Sequence, residues 1–149
     1  MDIRYFFMPC FKCLVASVAF GVQFNIKPRH LIGAAIGGFG CQLIFLFAQA
    51  AGATEIFSCF TASLAITFYA EFLARKMRVP VNMYLVVGII PLVPGRYIYE
   101  TMLTLVDGDI ELFLISFTNT IAIAGAVAMG VFAASSAVRF LKVKTKIGL

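Results

Sequence analysis

The sequence has no tryptophan, a single histidine and few charges. Asp, Glu, Lys and Arg make up 13% of it, where a soluble domain carries about 25%. That deficit excludes an ordinary water-facing surface. The lone His30 excludes a histidine-based zinc site, because zinc needs several converging ligands. No G-x-x-x-x-G-K-S/T phosphate loop is present, so any active transport has to draw on an ion gradient or a partner. No metal cluster or nucleophile–base arrangement stands out. The chain is therefore not expected to be an enzyme or to need a cofactor. Without tryptophan, an aromatic belt at a membrane surface has to use the 5 Tyr and 16 Phe residues.

What is present is apolar. Hydrophobic residues form 62% of the 149, and the mean hydropathy is +0.99. These values predict an all-α integral membrane protein, a single transmembrane domain over residues 1–149 set in the lipid bilayer. The length holds four to six spans of about 20 residues and no separate soluble catalytic domain. The net charge of +5 falls in turns and tails, which fits a membrane surface and not nucleic acid. Cys10-Phe-Lys-Cys13 has thiol-redox spacing but no second pair, and it reads as small apolar residues in the first span. The N-terminus lacks the pattern of a cleaved secretory signal, so that span is read as retained.

The first apolar segment runs over about 5–24, with Pro9 near its start and Lys12 able to snorkel. A polar turn follows, and Pro28 is placed to open the next helix. The second segment, 31–51, carries Gly33-Ala34-Ala35-Ile36-Gly37, a small-residue face for close helix approach. His30 beside it reads as a polar interfacial group. Gly52-Ala53-Thr54-Glu55 reads as a brief turn. The third segment, about 56–73, has Ser58, Thr61, Ser63 and Thr67, whose hydroxyls can bond back to their own helix. It ends in Glu71 and the basic Arg75-Lys76-Met77-Arg78. A fourth segment covers about 84–106. A fifth covers about 112–138, with Thr118 and Asn119 early in it and small residues around Gly125 and Gly130. Gly125 is expected to pack against another helix, as are Gly33 and Gly37.

The turns alternate in basic charge. Those at 27–30 and 75–78 are basic, as is the C-terminal tail. The turn at 52–55 has no Lys or Arg, and 107–111 is wholly acidic. By the positive-inside rule this predicts about five spans, with the N-terminus outside and the C-terminus cytoplasmic. An odd number of spans points to a homo-oligomer or a further membrane subunit.

The fourth segment contains Ile90-Pro91-Leu92-Val93-Pro94-Gly95-Arg96-Tyr97-Ile98-Tyr99-Glu100. Pro91 and Pro94 each remove an amide donor and restrict the preceding residue, so the helix is expected to be interrupted at Pro91–Gly95, near mid-span. Interrupted membrane helices persist where protein or a wet cavity satisfies the freed groups, and transporters use their half-helix ends to hold ions and substrates. Arg96 at a helix start is locally unfavourable without an anion. That anion is either Glu100, one turn on, or a carboxylate substrate with Glu100 gating it. At most one of Tyr97 and Tyr99 faces the same path. Thr118 and Asn119 are candidates for further hydrogen bonds to it.

Pro91-Leu92-Val93-Pro94-Gly95, closely followed by Tyr97 and Tyr99, resembles the Pro-x-x-Pro-Gly signature of the threonine/serine exporter family. The chain is most similar to the small membrane subunit of its split, two-component type. The likeness extends to the basic-proline turn before a glycine-rich second span and to Thr118-Asn119 opening a small-residue fifth. It implies a bacterial inner-membrane secondary exporter subunit. The implied substrates are threonine and serine or a dicarboxylate such as succinate, the implied coupling ion is H+, and the implied partner is a larger membrane subunit. The signature carries over only to Pro91, Pro94 and Gly95; Arg96 and Glu100 come from the physical argument. The competing reading is a non-transporting membrane scaffold or assembly subunit, for which a tight small-residue bundle suffices.

Overall fold

A computed structural model describes residues 3–147, and all regular structure among them is helical. The helices are α1 (Ile3–Gln23), α2 (Pro28–Ala50), α3 (Glu55–Met77), α4 (Asn82–Ile89), α5 (Gly95–Val106) and α6 (Ile110–Ile147). A 3-10 turn over Ile90–Leu92 extends α4. Arg4 and the tail lysines Lys142, Lys144 and Lys146, which enter the charge pattern, lie outside the described side chains.

Local chemistry sets the boundaries. Pro28 opens α2, where its missing N–H costs nothing. Gly52, at φ 84°, turns the chain after α2. Thr54 then caps α3, its hydroxyl accepting the Phe57 amide at 3.4 Å. Glu55 occupies the first turn of α3 and Arg75 and Lys76 the last, each placed favourably along the helix dipole. Arg78 closes α3 in the left-handed conformation, at φ 55°. After α5, Gly108 turns at φ 78°, and Asp109 accepts the Leu112 amide at 3.1 Å to start α6.

Among the described residues, three helices are long and apolar enough to cross a membrane: Pro28–Ala50, Glu55–Met77 and, within α6, Ile110–Phe140. Phe7–Gln23 and Asn82–Leu92 are apolar but shorter. Small residues bring the helices together. A Cβ on Gly33 would stand 2.7 Å from Leu73 Cδ2, and one on Gly37 would stand 3.0 Å from Tyr69 Cε1. Ala34, Ala62 and Ala70 are fully buried. One cluster gathers Ala34, Ala70, Ala74, Tyr84 and Val87 around the start of α4, and a second gathers Cys41, Cys59, Ala62, Ile66, Leu92 and Ile123 around its end. Hydroxyls in α3 return to their own helix, as with Ser63 to Phe60 O (2.8 Å) and Thr67 to Ser63 O (2.7 Å).

Gly125 does not pack against another helix of this chain. It has open space where a side chain would go, while a Cβ on Gly130 would meet the Phe60 carbonyl oxygen at 2.7 Å. Along α6, Ile123, Ala126, Gly130, Ala134 and Val138 are buried at helical spacing, and no residue from Ile110 to Ala122 is buried. The first 13 residues of α6, about 20 Å of helix, pair with α5 to form an arm. Ile123 packs beside Cys59, and α3 begins at Glu55, so the arm runs on past the start of α3.

Candidate functional site

The arm begins at the proline pair. Val93, before Pro94, is extended at ψ 127°, the conformation favoured before proline, whereas Ile90, before Pro91, stays helical. The Val93 carbonyl accepts the Gly95 amide at 2.7 Å, and α5 starts with the Ile98 amide bonded to Pro94 O at 3.0 Å. The amides of Arg96 and Tyr97 lie in the first turn, where a helix offers no internal acceptor. In sequence the break is central to the segment 84–106. In space it lies beside Phe45, Glu55 and Cys59, in the last two turns of α2 and the first two of α3. The neighbouring helices therefore place it near their ends and not at their middles.

A hollow of about 110 Å³ opens at the break, walled by Phe45, Cys59, Leu92 and Ile123 and edged by Glu55, Arg96 and Tyr97. Pro91, Pro94 and Gly95 form its backbone side. Arg96 Nε donates to Glu100 Oε1 at 2.7 Å; the two side chains are 82% and 36% exposed. The Tyr97 hydroxyl donates a short hydrogen bond to Glu55 Oε2, crossing from α5 to α3. The Tyr97 carbonyl in turn accepts the Thr101 hydroxyl at 2.6 Å. One apolar hollow thus carries a guanidinium, two carboxylates, a phenol and a helix start, which together can hold a small charged molecule.

Of the expected residues, Pro91, Pro94, Gly95, Arg96 and Tyr97 come together here, with Glu100 joined through Arg96. Tyr99 is 67% exposed and does not line the hollow. Thr118 and Asn119 do not reach it either. Both are exposed, and the Thr118 hydroxyl bonds to Leu114 O at 2.7 Å. The hydroxyl that α6 turns toward α5 is that of Thr120, 3.3 Å from Thr101 Oγ1. Glu55, which lines the hollow, is missing from the sequence reading, which placed it in a turn. The available signal was its isolation, since no other acid lies between Asp2 and Glu71.

At the opposite end of α4, His30 Nδ1 lies 2.8 Å from the buried Tyr84 hydroxyl, and Tyr69 donates to Gly33 O at 2.8 Å. His30 is thus bound into the bundle and is not a free interfacial group. All four cysteines are free thiols. Among the described residues, no three or more His, Cys, Asp or Glu side chains are grouped to hold a metal.

The comparisons bear on this arrangement. A relative from Haemophilus influenzae, described as an uncharacterized protein, is 28% identical over 128 residues, which cover 78% of this chain and 42% of the relative. The chain thus spans less than half the length of that curated relative. No solved structure matches. A family model described as "Threonine/Serine exporter, ThrE" matches residues 9–137, from the first helix through the break and most of α6. With that match spanning both the bundle and the charged turn, the chain belongs to the threonine/serine exporter family.

Proposed function

We propose that the chain is the small membrane subunit of a secondary exporter of the bacterial inner membrane. It moves threonine and serine, or a dicarboxylate such as succinate, out of the cytoplasm. In this reading it crosses the bilayer about five times, with α4 and α5 together forming an interrupted fourth span. The N-terminus is outside and the C-terminus cytoplasmic, and the driving gradient is one of protons.

The observation that carries the reading is Arg96. A guanidinium within a membrane-spanning segment is costly facing lipid and marks a path by default. Arg96 is 82% exposed, at the start of a helix, on the edge of a hollow. In this reading a carboxylate substrate meets it, with a partner subunit alongside. The arm supports the second half of that statement. Met102, Val106, Ile110 and Leu114 are all more than half exposed on helices that pack on each other. In this reading a larger membrane subunit, or a second copy of the chain, covers that face.

The Arg96–Glu100 ion pair favours a second reading, in which the arginine is purely structural and the chain a scaffold. Reconstitution with the partner separates the two. The exporter reading predicts gradient-driven movement of an amino acid or dicarboxylate. It also predicts that Arg96→Ala cuts that flux by at least about ten-fold at unchanged protein level. The scaffold reading predicts intact flux per assembled complex and less complex.

A further inference from the structure

Glu55 lies on α3, Tyr97 on α5, and their hydrogen bond ties the arm to the bundle beside the break. Two features of the surroundings give that bond a role beyond stability. The first is the joint beneath it. Val93 is extended and Pro94 cannot donate, so no helical ladder stiffens the step from the 3-10 turn into α5. The second is the size of the hollow. About 110 Å³ holds about four waters, whereas small-molecule sites run from about 300 Å³ upward. The hollow fully encloses a substrate of amino-acid or dicarboxylate size only if a wall moves. The wall most loosely joined to the bundle is the first turn of α5, because the proline break separates it from α4 and the Tyr97 side chain is its hydrogen bond to α3.

The groups facing Glu55 define what controls that wall. On its own helix Cys59 lies one turn along. From α5 come Arg96, Tyr97 and Glu100, with Arg96 engaged by Glu100. α2 and α6 present Phe45 and Ile123, which carry no charge. Glu55 therefore has the phenol as its direct donor, and no basic side chain is bonded to it among the described residues. A hydrogen bond to a carboxylate is roughly twice as strong as one between neutral groups. Adding a proton to Glu55 converts the first kind into the second.

We propose that Glu55 is a proton-responsive positioning residue whose carboxylate, by accepting the Tyr97 hydroxyl, holds the first turn of α5 closed over the hollow. Taking up a proton from the solvent loosens that hold, and α5 swings about Val93–Pro94 to admit or release the substrate. No bond other than the carboxyl O–H is made or broken. The use of this latch to couple protons to transport rests on the exporter reading above, but the latch itself does not.

Hydrogen exchange of the α5 amides in the purified chain, read against α3 peptides to cancel the intrinsic pH effect, tests the latch directly. The wild-type chain is expected to lose about five-fold in protection of residues 96–98 on acidification. Glu55→Gln and Tyr97→Phe, both close to isosteric, are expected to show the low protection at every pH. A wild-type pH response surviving in Glu55→Gln overturns the proposal, as does one surviving in Tyr97→Phe. In proteoliposomes with the partner, Glu55→Gln is expected to flatten the pH profile of flux. A latch that behaves as expected in a complex that moves no substrate sinks the exporter reading alone. Flux with an unaltered pH profile in Glu55→Gln sinks the coupling role.

Discussion

α6 passes through two different neighbourhoods. From Ile123 to Val138 it lies against α3, with a buried residue at every turn. From Ile110 to Ala122 it lies against α5, and none of its residues is buried. Both halves are predominantly apolar, so hydrophobicity does not explain the difference. The packed half is held by small residues that admit a backbone. The open half is held by side chains and by hydroxyl pairs such as Thr101–Thr120. A membrane protein gains little from burying one apolar side chain against another in preference to lipid, and close packing decides what stays put. The bundle is therefore the frame, and the arm is the part free to meet a substrate or a partner.

Gly130 and Gly125, five residues apart on the same helix, break this comparison most sharply. Gly130→Ala drives a methyl into the Phe60 carbonyl and close to the Leu64 amide, and backbone atoms cannot yield as a side-chain tip can. Overpacking of this kind costs about 1–3 kcal/mol, and a substantial loss of folded, membrane-extracted protein is expected in a thermal assay. Gly125→Ala meets nothing, and replacing a helical glycine by alanine gains up to about 1 kcal/mol. The isolated chain should melt higher. If the partner seats on this face, the same substitution weakens the complex, which co-purification measures.

The two tyrosines flanking the break give a smaller contrast. Tyr84 is buried and bonded to His30, at the end where Gly33 and Leu73 close around α4. Tyr84→Phe removes one neutral hydrogen bond and strands a ring nitrogen, an effect of about 1 kcal/mol. It should lower the melting temperature while leaving α5 exchange unchanged. Tyr97→Phe should do the reverse, with little effect on melting and a clear effect on α5. Equal loss of stability in both would erase the distinction between frame and arm.

Much of the frame could be read directly from the residues. Pro28, the glycine face of α2, the Arg75–Arg78 stop and the Pro91–Pro94 break each act within a few positions, and each left its mark in the chain. The arm could not be read this way. An exposed Leu114 and a packed Ile123 look alike until the register of α3 against α6 is known, and that register also decided for Gly130 over Gly125. Glu55 was hidden for a related reason. An acid opening a helix is already accounted for by the dipole, and its partner Tyr97 lies 42 positions away. The face that α6 turns toward α5 lies about half a turn of rotation from Thr118, since Thr120 is the hydroxyl near Thr101.

That rotation supplies the smallest effect. Thr118 is exposed, and its hydroxyl serves only to bond back to Leu114 within α6. Thr118→Val keeps the shape and removes a bond that competes with the helix rather than holding it. Stability should change by less than about 0.5 kcal/mol, and α5 exchange should be unaltered. Thr120→Val, two residues on, removes the hydroxyl facing Thr101 across the hairpin, so it should raise exchange in the middle of α5. If Thr118→Val instead lowers flux in the assembled complex while the isolated chain is unchanged, then the outer face of the arm is functional. The surface that α6 turns away from its own bundle would then line the path together with the partner.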